Sequence, residues 1–248
     1  MDLTKQGTAI LLRPAARVEI TDAFLRSVYT WMAIGLGLTG VVSFALTYTS
    51  MKTLLFVGMG DTIIFTSLGQ TTFLVTAIAQ IALVFFLSFR IDRLSGSTAT
   101  TLFMVYSVLM GAFLSFVLIR YSVGSVAQAF IASTGMFAGM SLYGLVTKRD
   151  LAGMGSFLFM GLIGLLIAMI VNLFMQSSMM TFIISLVGVG LFLGLTAYDT
   201  QLLKEMGESV PRDNETAVRR ATIMGALRLY LDFINLFLFM LRLFGDRR

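Results

Sequence analysis

The chain has 248 residues, 57% of them hydrophobic and 12% charged, and a mean hydropathy of +0.90, too apolar for a soluble globular protein. It contains no His and no Cys, which excludes His/Cys zinc sites, thiol nucleophiles, disulfides and imidazole acid–base chemistry. The net charge of +5 does not point to nucleic acid, because the basic residues gather at the ends of apolar runs, where membrane topology uses them.

Residues 1–27 read as a charged cytoplasmic arm, with Lys5, Arg13, Arg17 and Arg26 against Asp2, Glu19 and Asp22. No apolar stretch within it has the form of a cleaved signal peptide, so the first span is expected to be its own insertion signal. Runs long enough to cross a bilayer then follow, since about 20 helical residues cover its hydrocarbon core. They are residues 28–49, 71–89, 98–119, 126–146, 155–175, 181–203 and 222–244. Residues 50–70 are apolar but broken by Lys52, Asp61 and three glycines, and are expected to be an interfacial or re-entrant piece. The two prolines, Pro14 and Pro211, fall outside the runs, so the spans should lack proline kinks. The expected fold is an all-α integral membrane protein, with residues 28–248 forming a single seven-helix domain.

Lys and Arg concentrate on cytoplasmic segments of membrane proteins. With the N-terminus inside, the inner segments hold Arg26, Arg90, Arg93, Lys148, Arg149 and Arg219 among others, and the outer loops only Lys52 and Arg120. Seven spans leave Arg247 and Arg248 outside. Gly135 and Gly139, Gly161 and Gly164, and Gly188, Gly190 and Gly194 recur at spacings expected of close helix packing.

The last run carries the functional signal. Asp232 lies there between Leu231 and Phe233. An ionised carboxylate is costly to remove from water, so an acid inside a membrane helix is a candidate site whose partner must be found. Three candidates are Asp199 at the inner end of the sixth run, Arg90 closing the second, and Arg228 one turn before Asp232. If the last run starts at Thr222, Asp232 is about 15 Å along it and misses Asp199. A boundary nearer Arg228 puts both acids about one turn inside, and is preferred because Arg219, Arg220 and Arg228 sit more easily at or below the headgroups.

Two readings of these groups stand side by side. In one, Asp199 and Asp232 share a proton, because neighbouring carboxylates in low dielectric cannot both ionise cheaply. Arg90 then holds the acids until protonation releases it, as a latch. In the other, Arg228 merely neutralises Asp232 at i+4 and Asp199 is solvated. Tyr198 and Asn235 are candidate modulators of the pair; the structural reading of Asn235 is a helix–helix hydrogen bond, and that of Arg242 is snorkelling to the outer headgroups. Paired acids on adjacent spans also suit an intramembrane aspartyl protease, but the glycine turn that usually surrounds the second acid is missing. No phosphate-cradling loop or metalloprotease motif occurs.

The chain resembles the Bax inhibitor-1 (transmembrane Bax inhibitor motif) family, most closely its bacterial members, over residues 132–245. The resemblance rests on Ser141-Leu142-Tyr143-Gly144, Thr147-Lys148-Arg149-Asp150-Leu151, Val171-Asn172-Leu173-Phe174, Tyr198-Asp199-Thr200-Gln201, residues 229–237, and Leu241-Arg242-Leu243-Phe244-Gly245. It implies a seven-helix bundle with the C-terminal helix central, placed in the bacterial inner membrane with the N-terminus cytoplasmic. It further implies a pH-sensitive calcium leak rather than an enzyme, with no cofactor and Ca2+ as the permeant ion. Asp199 and Asp232 match the family's paired acids, and Arg90 its second-helix arginine by position. The alternative it implies is an interaction protein that modulates a membrane-bound AAA protease. Arg228 departs from the family pattern, which commonly has a small or neutral residue there; its charge would either hold Asp232 ionised, lowering the pH at which a latch opens, or repel a cation at the inner mouth.

Overall fold

The computed structural model describes residues 14–59, 62–210 and 214–246. The first half of the expected N-terminal arm, Asp61, Pro211, and Arg247 with Arg248 lie outside the described residues. The helices are α1 (Pro14–Tyr48), α2 (Lys52–Leu55), α3 (Ser67–Arg90), α4 (Gly96–Leu118), α5 (Val123–Val146), α6 (Ala152–Met175), α7 (Ser178–Ser209) and α8 (Glu215–Phe244). Seven of them, all but α2, are long and apolar enough to cross a membrane, in agreement with the seven runs. The expected arm differs in one respect: it is already helical from Pro14, a residue whose fixed φ and missing N–H suit the first turn of a helix.

Polar side chains set the helix starts. Thr66, Ser95, Ser122, Ser177 and Asn214 each accept a hydrogen bond from a backbone N–H of the first turn of the helix that follows, at 2.9–3.2 Å. Such caps satisfy donors that the helix itself leaves unpaired. The broken stretch after the first span folds as α2 and an antiparallel hairpin, β1 (Phe56–Met59) and β2 (Thr62–Phe65). Its Phe56 and Phe65 pack edge-on against Phe116 of α4, with ring centroids 5.2 Å apart in each case.

Helices α1, α7 and α8 have 35, 32 and 30 residues, against 23 or 24 for α3 to α6. At 1.5 Å per residue the long helices reach about 45–50 Å, well beyond a hydrocarbon core of about 30 Å. The surplus of all three lies at the end of the bundle that carries Arg90, Arg93, Lys148 and Arg149, here termed the basic end. There a Cβ on Gly207 of α7 would meet Phe24 of α1 at 2.9 Å, so these two helices pack closely beyond the shorter ones. The opposite end is the hairpin end.

α8 is the most buried span and packs against α1, α4, α5 and α7; α3 packs on α4 and α6 on α7. Glycines mark some of these contacts, though not all those expected from spacing. Gly161, Gly188 and Gly194 abut Leu191, Phe239 and Leu158, whereas a Cβ on Gly135, Gly139, Gly164 or Gly190 would meet nothing within 4 Å. The tightest approach in α5 is at Gly144, against the Ala197 carbonyl of α7. A one-turn glycine spacing fits a lipid-facing stripe as readily as a packed one.

Candidate functional site

Four consecutive residues of α7 face four different neighbours, because each step along a helix turns about 100°. Tyr198 lies against Gly155 of α6, where a Cβ would meet its ring at 2.8 Å. Asp199 faces α8. Thr200 pairs with the Tyr29 hydroxyl of α1 at 3.2 Å. Gln201 accepts from Leu151 N at 2.7 Å and donates to Arg149 O at 2.9 Å, docking the α5–α6 connection. Lys204 adds a bond from Nζ to Leu145 O at 2.9 Å. The basic-end half of α7 is therefore held in rotation and height, and Asp199 with it.

The rotation of α8 is fixed from its other side. Tyr230 is fully buried between the rings of Phe103 and Tyr106, each 5.8 Å away and edge-on. Its hydroxyl bonds Thr39 Oγ1 at 2.7 Å, and Thr39 in turn donates to Ser107 O at 2.8 Å. With Tyr230 turned toward α1 and α4, Asp232 two residues on is turned away from them.

Asp199 and Asp232 are both buried, at 8% and 5% exposure, and line one cavity as electrostatic neighbours. Asp232 Oδ2 is buried without a hydrogen-bond partner. Neighbouring carboxyl groups out of water cannot both ionise cheaply. Arg228 Nη1 stands 3.4 Å from Asp199 Oδ1, with its side chain 46% exposed. Arg228 thus bridges to the acid of the neighbouring helix rather than only neutralising Asp232 one turn on.

The acids meet because the α7–α8 connection is short. Val210 to Asn214 joins two antiparallel helices, so residues equidistant from that turn lie level: Leu203 packs on Gly225, and Gly188 on Phe239. This register puts Asp199 beside Arg228 and Asp232 one turn deeper. α8 begins at Glu215 rather than near Arg228. With α7 running on to Ser209, both helices extend past the acids at the basic end.

Arg90 is the last residue of α3 and is exposed. The structure brings Arg228, not Arg90, to the acid pair. Asn235 donates to Leu231 O of its own helix at 2.8 Å, correcting the expected helix–helix bond. The Arg242 guanidinium lies over the Phe239 ring, 5.6 Å from its centroid.

The acids line a cavity of about 660 Å³ between α3, α4, α6, α7 and α8, together with Arg228 and Asn235. Two further polar residues line it: Gln80 of α3, which donates to Leu109 O at 3.3 Å, and Tyr106 of α4. Gln80 was legible as a polar interruption of the 71–89 run; Tyr106 carried no such signal. Among the described residues no group of three or more carboxylates gathers as a metal site. Two carboxyl groups offer at most four oxygens, fewer than the six to eight ligands that hold calcium firmly.

A family model described as inhibitor of apoptosis-promoting Bax1 matches residues 21–248. The chain is 44% identical to the inner membrane protein YbhL of Escherichia coli K12 over 240 residues, 96% of each chain. It is 40% identical to an uncharacterized protein of Borreliella burgdorferi over 249 residues, covering 100% of this chain and 99% of the other. A Streptococcus pyogenes uncharacterized membrane protein is 36% identical over 224 residues, 90% of this chain and 93% of its own.

Proposed function

The chain belongs to the Bax inhibitor-1 family of membrane proteins, and on that premise we propose that it is a pH-sensitive cation leak, chiefly for calcium, gated by Asp199 and Asp232 with Arg228 as their guanidinium. The observation that carries this reading is the convergence of those three groups on one cavity. In the closed state the acids hold one proton between them, and the remaining negative charge binds Arg228. Acidification supplies a second proton, and neutral Asp199 loses its charge-assisted grip. Arg228, already half exposed, turns to water at the basic end. Its departure loosens α7 from α8 and removes a positive charge from the cation's entrance. With Arg228 half exposed, solvent screening leaves such a contact worth up to about 1 kcal/mol, enough to change a two-state population about two- to fivefold. Two carboxyl groups bind a passing divalent ion weakly enough to release it.

Arg90 takes no part in this scheme as placed; the latch role that its position suggested passes to Arg228. The protease reading requires both acids in a wet cleft clear of any arginine, and the 3.4 Å contact from Arg228 counts against it. The interaction reading, modulation of a membrane-bound AAA protease without transport, draws support from the surplus lengths of α1, α7 and α8 at the basic end. Calcium flux into liposomes holding the purified protein, compared in alkaline and acidic buffer, decides between leak and interaction protein. A flux that rises on acidification and depends on Asp199 supports the leak; flux indifferent to both pH and Asp199→Asn removes it.

A further inference from the structure

The acid-lined cavity has an opening of its own. α3 packs on α4 and α6 on α7, while α8 packs against both α4 and α7. The cavity lies between these two outer pairs, with α8 as its floor. Ile81 and Phe85 of α3 and Leu166 of α6 line it and are at the same time exposed, which marks them as its mouth. Ile81 and Leu166 each fall in the middle third of a helix of 24 residues. A mouth at that height opens sideways into hydrocarbon rather than into water at either face.

The polar groups inside offer acceptors. Asp232 Oδ2 is buried with no hydrogen-bond partner, while Arg228 engages Asp199. Gln80 and Asn235 each commit an amide N–H to a backbone carbonyl, that of Leu109 and of Leu231. A carbonyl can only accept, so the nitrogen is fixed as the bonded atom and the carboxamide oxygen is left as an acceptor. A buried acceptor without a donor is costly. Much of the remaining wall is apolar, with Val84, Leu162, Leu165 and Phe192 among its residues. The volume of about 660 Å³ falls within the range of roughly 300–1,000 Å³ of pockets that hold drug-sized molecules.

We propose that this cavity binds an amphipathic amine that enters from the bilayer, its nitrogen at Asp232 and its hydrocarbon body between α3 and α6. A cationic head with an N–H donor answers the acceptors, and a hydrocarbon body matches the walls. In hydrocarbon the amine travels as its free base, because a bare charge is costly there. At the acid pair the shared proton passes to the nitrogen. The carboxyl O–H bond breaks, an N–H bond forms, and an ammonium is left beside a carboxylate. This step rests on the shared proton of the proposed gate, and it needs no ion flow.

The test uses the full-length protein in phosphatidylcholine nanodiscs, with empty nanodiscs as background. Equilibrium dialysis compares decyldimethylamine with decanol, which has the same chain and no basic nitrogen. The amine should bind saturably and at least about tenfold more tightly than decanol, the effect of one charge-assisted contact. Asp232→Asn should erase that preference. Leu166→Trp should fill the entrance and weaken amine binding about tenfold with the melting temperature unchanged. Should Asp232→Asn fail to fold, Leu166→Trp and the comparison of amine with decanol still decide. No ion gradient is present, so a protein that leaks nothing can pass this test and a calcium leak can fail it. The proposal is overturned by any of three results: no saturable amine binding above empty discs, as a resident lipid chain would produce; decanol bound as tightly as the amine; or amine binding unchanged in a folded Asp232→Asn or Leu166→Trp.

Discussion

α6 and α8 are both long enough to span a bilayer, yet they have opposite fates. α6 carries no charged residue between Ala152 and Met175, and 11% of its span is buried in the protein. α8 carries Glu215, Arg219, Arg220, Arg228, Asp232 and Arg242, and 72% of its span is buried. A soluble protein sorts its helices the other way. In lipid there is no hydrophobic gain from burying an apolar helix against another, so the most apolar span stays at the periphery. The span with polar and ionisable groups is drawn inward, where it finds partners. Between these two spans burial follows polarity, and the buried one carries the ionisable groups.

Substitutions can break this contrast or sharpen it. The largest effect is expected at the α7–α8 contact: Gly188→Leu drives a side chain into the Phe239 ring, 2.7 Å from where a Cβ would sit. A loss of about 3 kcal/mol is expected, as for other overpacked cores, read as a lower melting temperature in detergent and an aggregated size-exclusion profile. Next comes Asp199→Asn, which removes the charge that binds Arg228. Its calcium leak in liposomes should no longer change with pH and should stand about fivefold above the wild-type value in alkaline buffer. Arg228→Gln leaves the acids without their countercharge, so neutralising them takes less acid and the leak should persist into more alkaline buffer. Because Arg228 is 46% exposed, solvent screening limits the rise at alkaline pH to about two- to fivefold.

Arg90→Gln is the direct contrast, with an expected change in the same assay of under about twofold. If it instead matches or exceeds Arg228→Gln, the latch belongs to α3. The smallest effect is expected on the peripheral helix. Gly164→Leu on α6 meets nothing within 4 Å and should leave the melting temperature within the range of about 0.5 kcal/mol typical of surface changes.

Much of the architecture was legible beforehand because length and hydropathy dominate in a bilayer. All seven spans and the break after the first could be read from runs of apolar residues. Asp232 stood out for the same reason, as a charge where lipid would otherwise be. The glycines were less legible. Gly135, Gly139, Gly164 and Gly190 fit a packing pattern yet face nothing, while Gly144 and Gly225 lie at close contacts that no spacing announced. The identity of the arginine was harder still. Arg90 and Arg228 both lie near the right depth in the sequence, and only the rotation of α7 and α8 separates them.

Amino-acid order alone determined that this chain crosses the bilayer seven times and that two acids are carried into apolar helices. Those outcomes depend on local quantities: the cost of exposing polar groups to lipid and the length needed to cross it. Tertiary structure decided which acid meets which base. That choice rests on the short α7–α8 connection, which sets the register, and on the Tyr230 and Gln201 contacts, which set rotation. It could not be read from the order of residues because a few degrees of rotation, fixed by neighbours far away in the chain, separate a paired carboxylate from one that faces lipid.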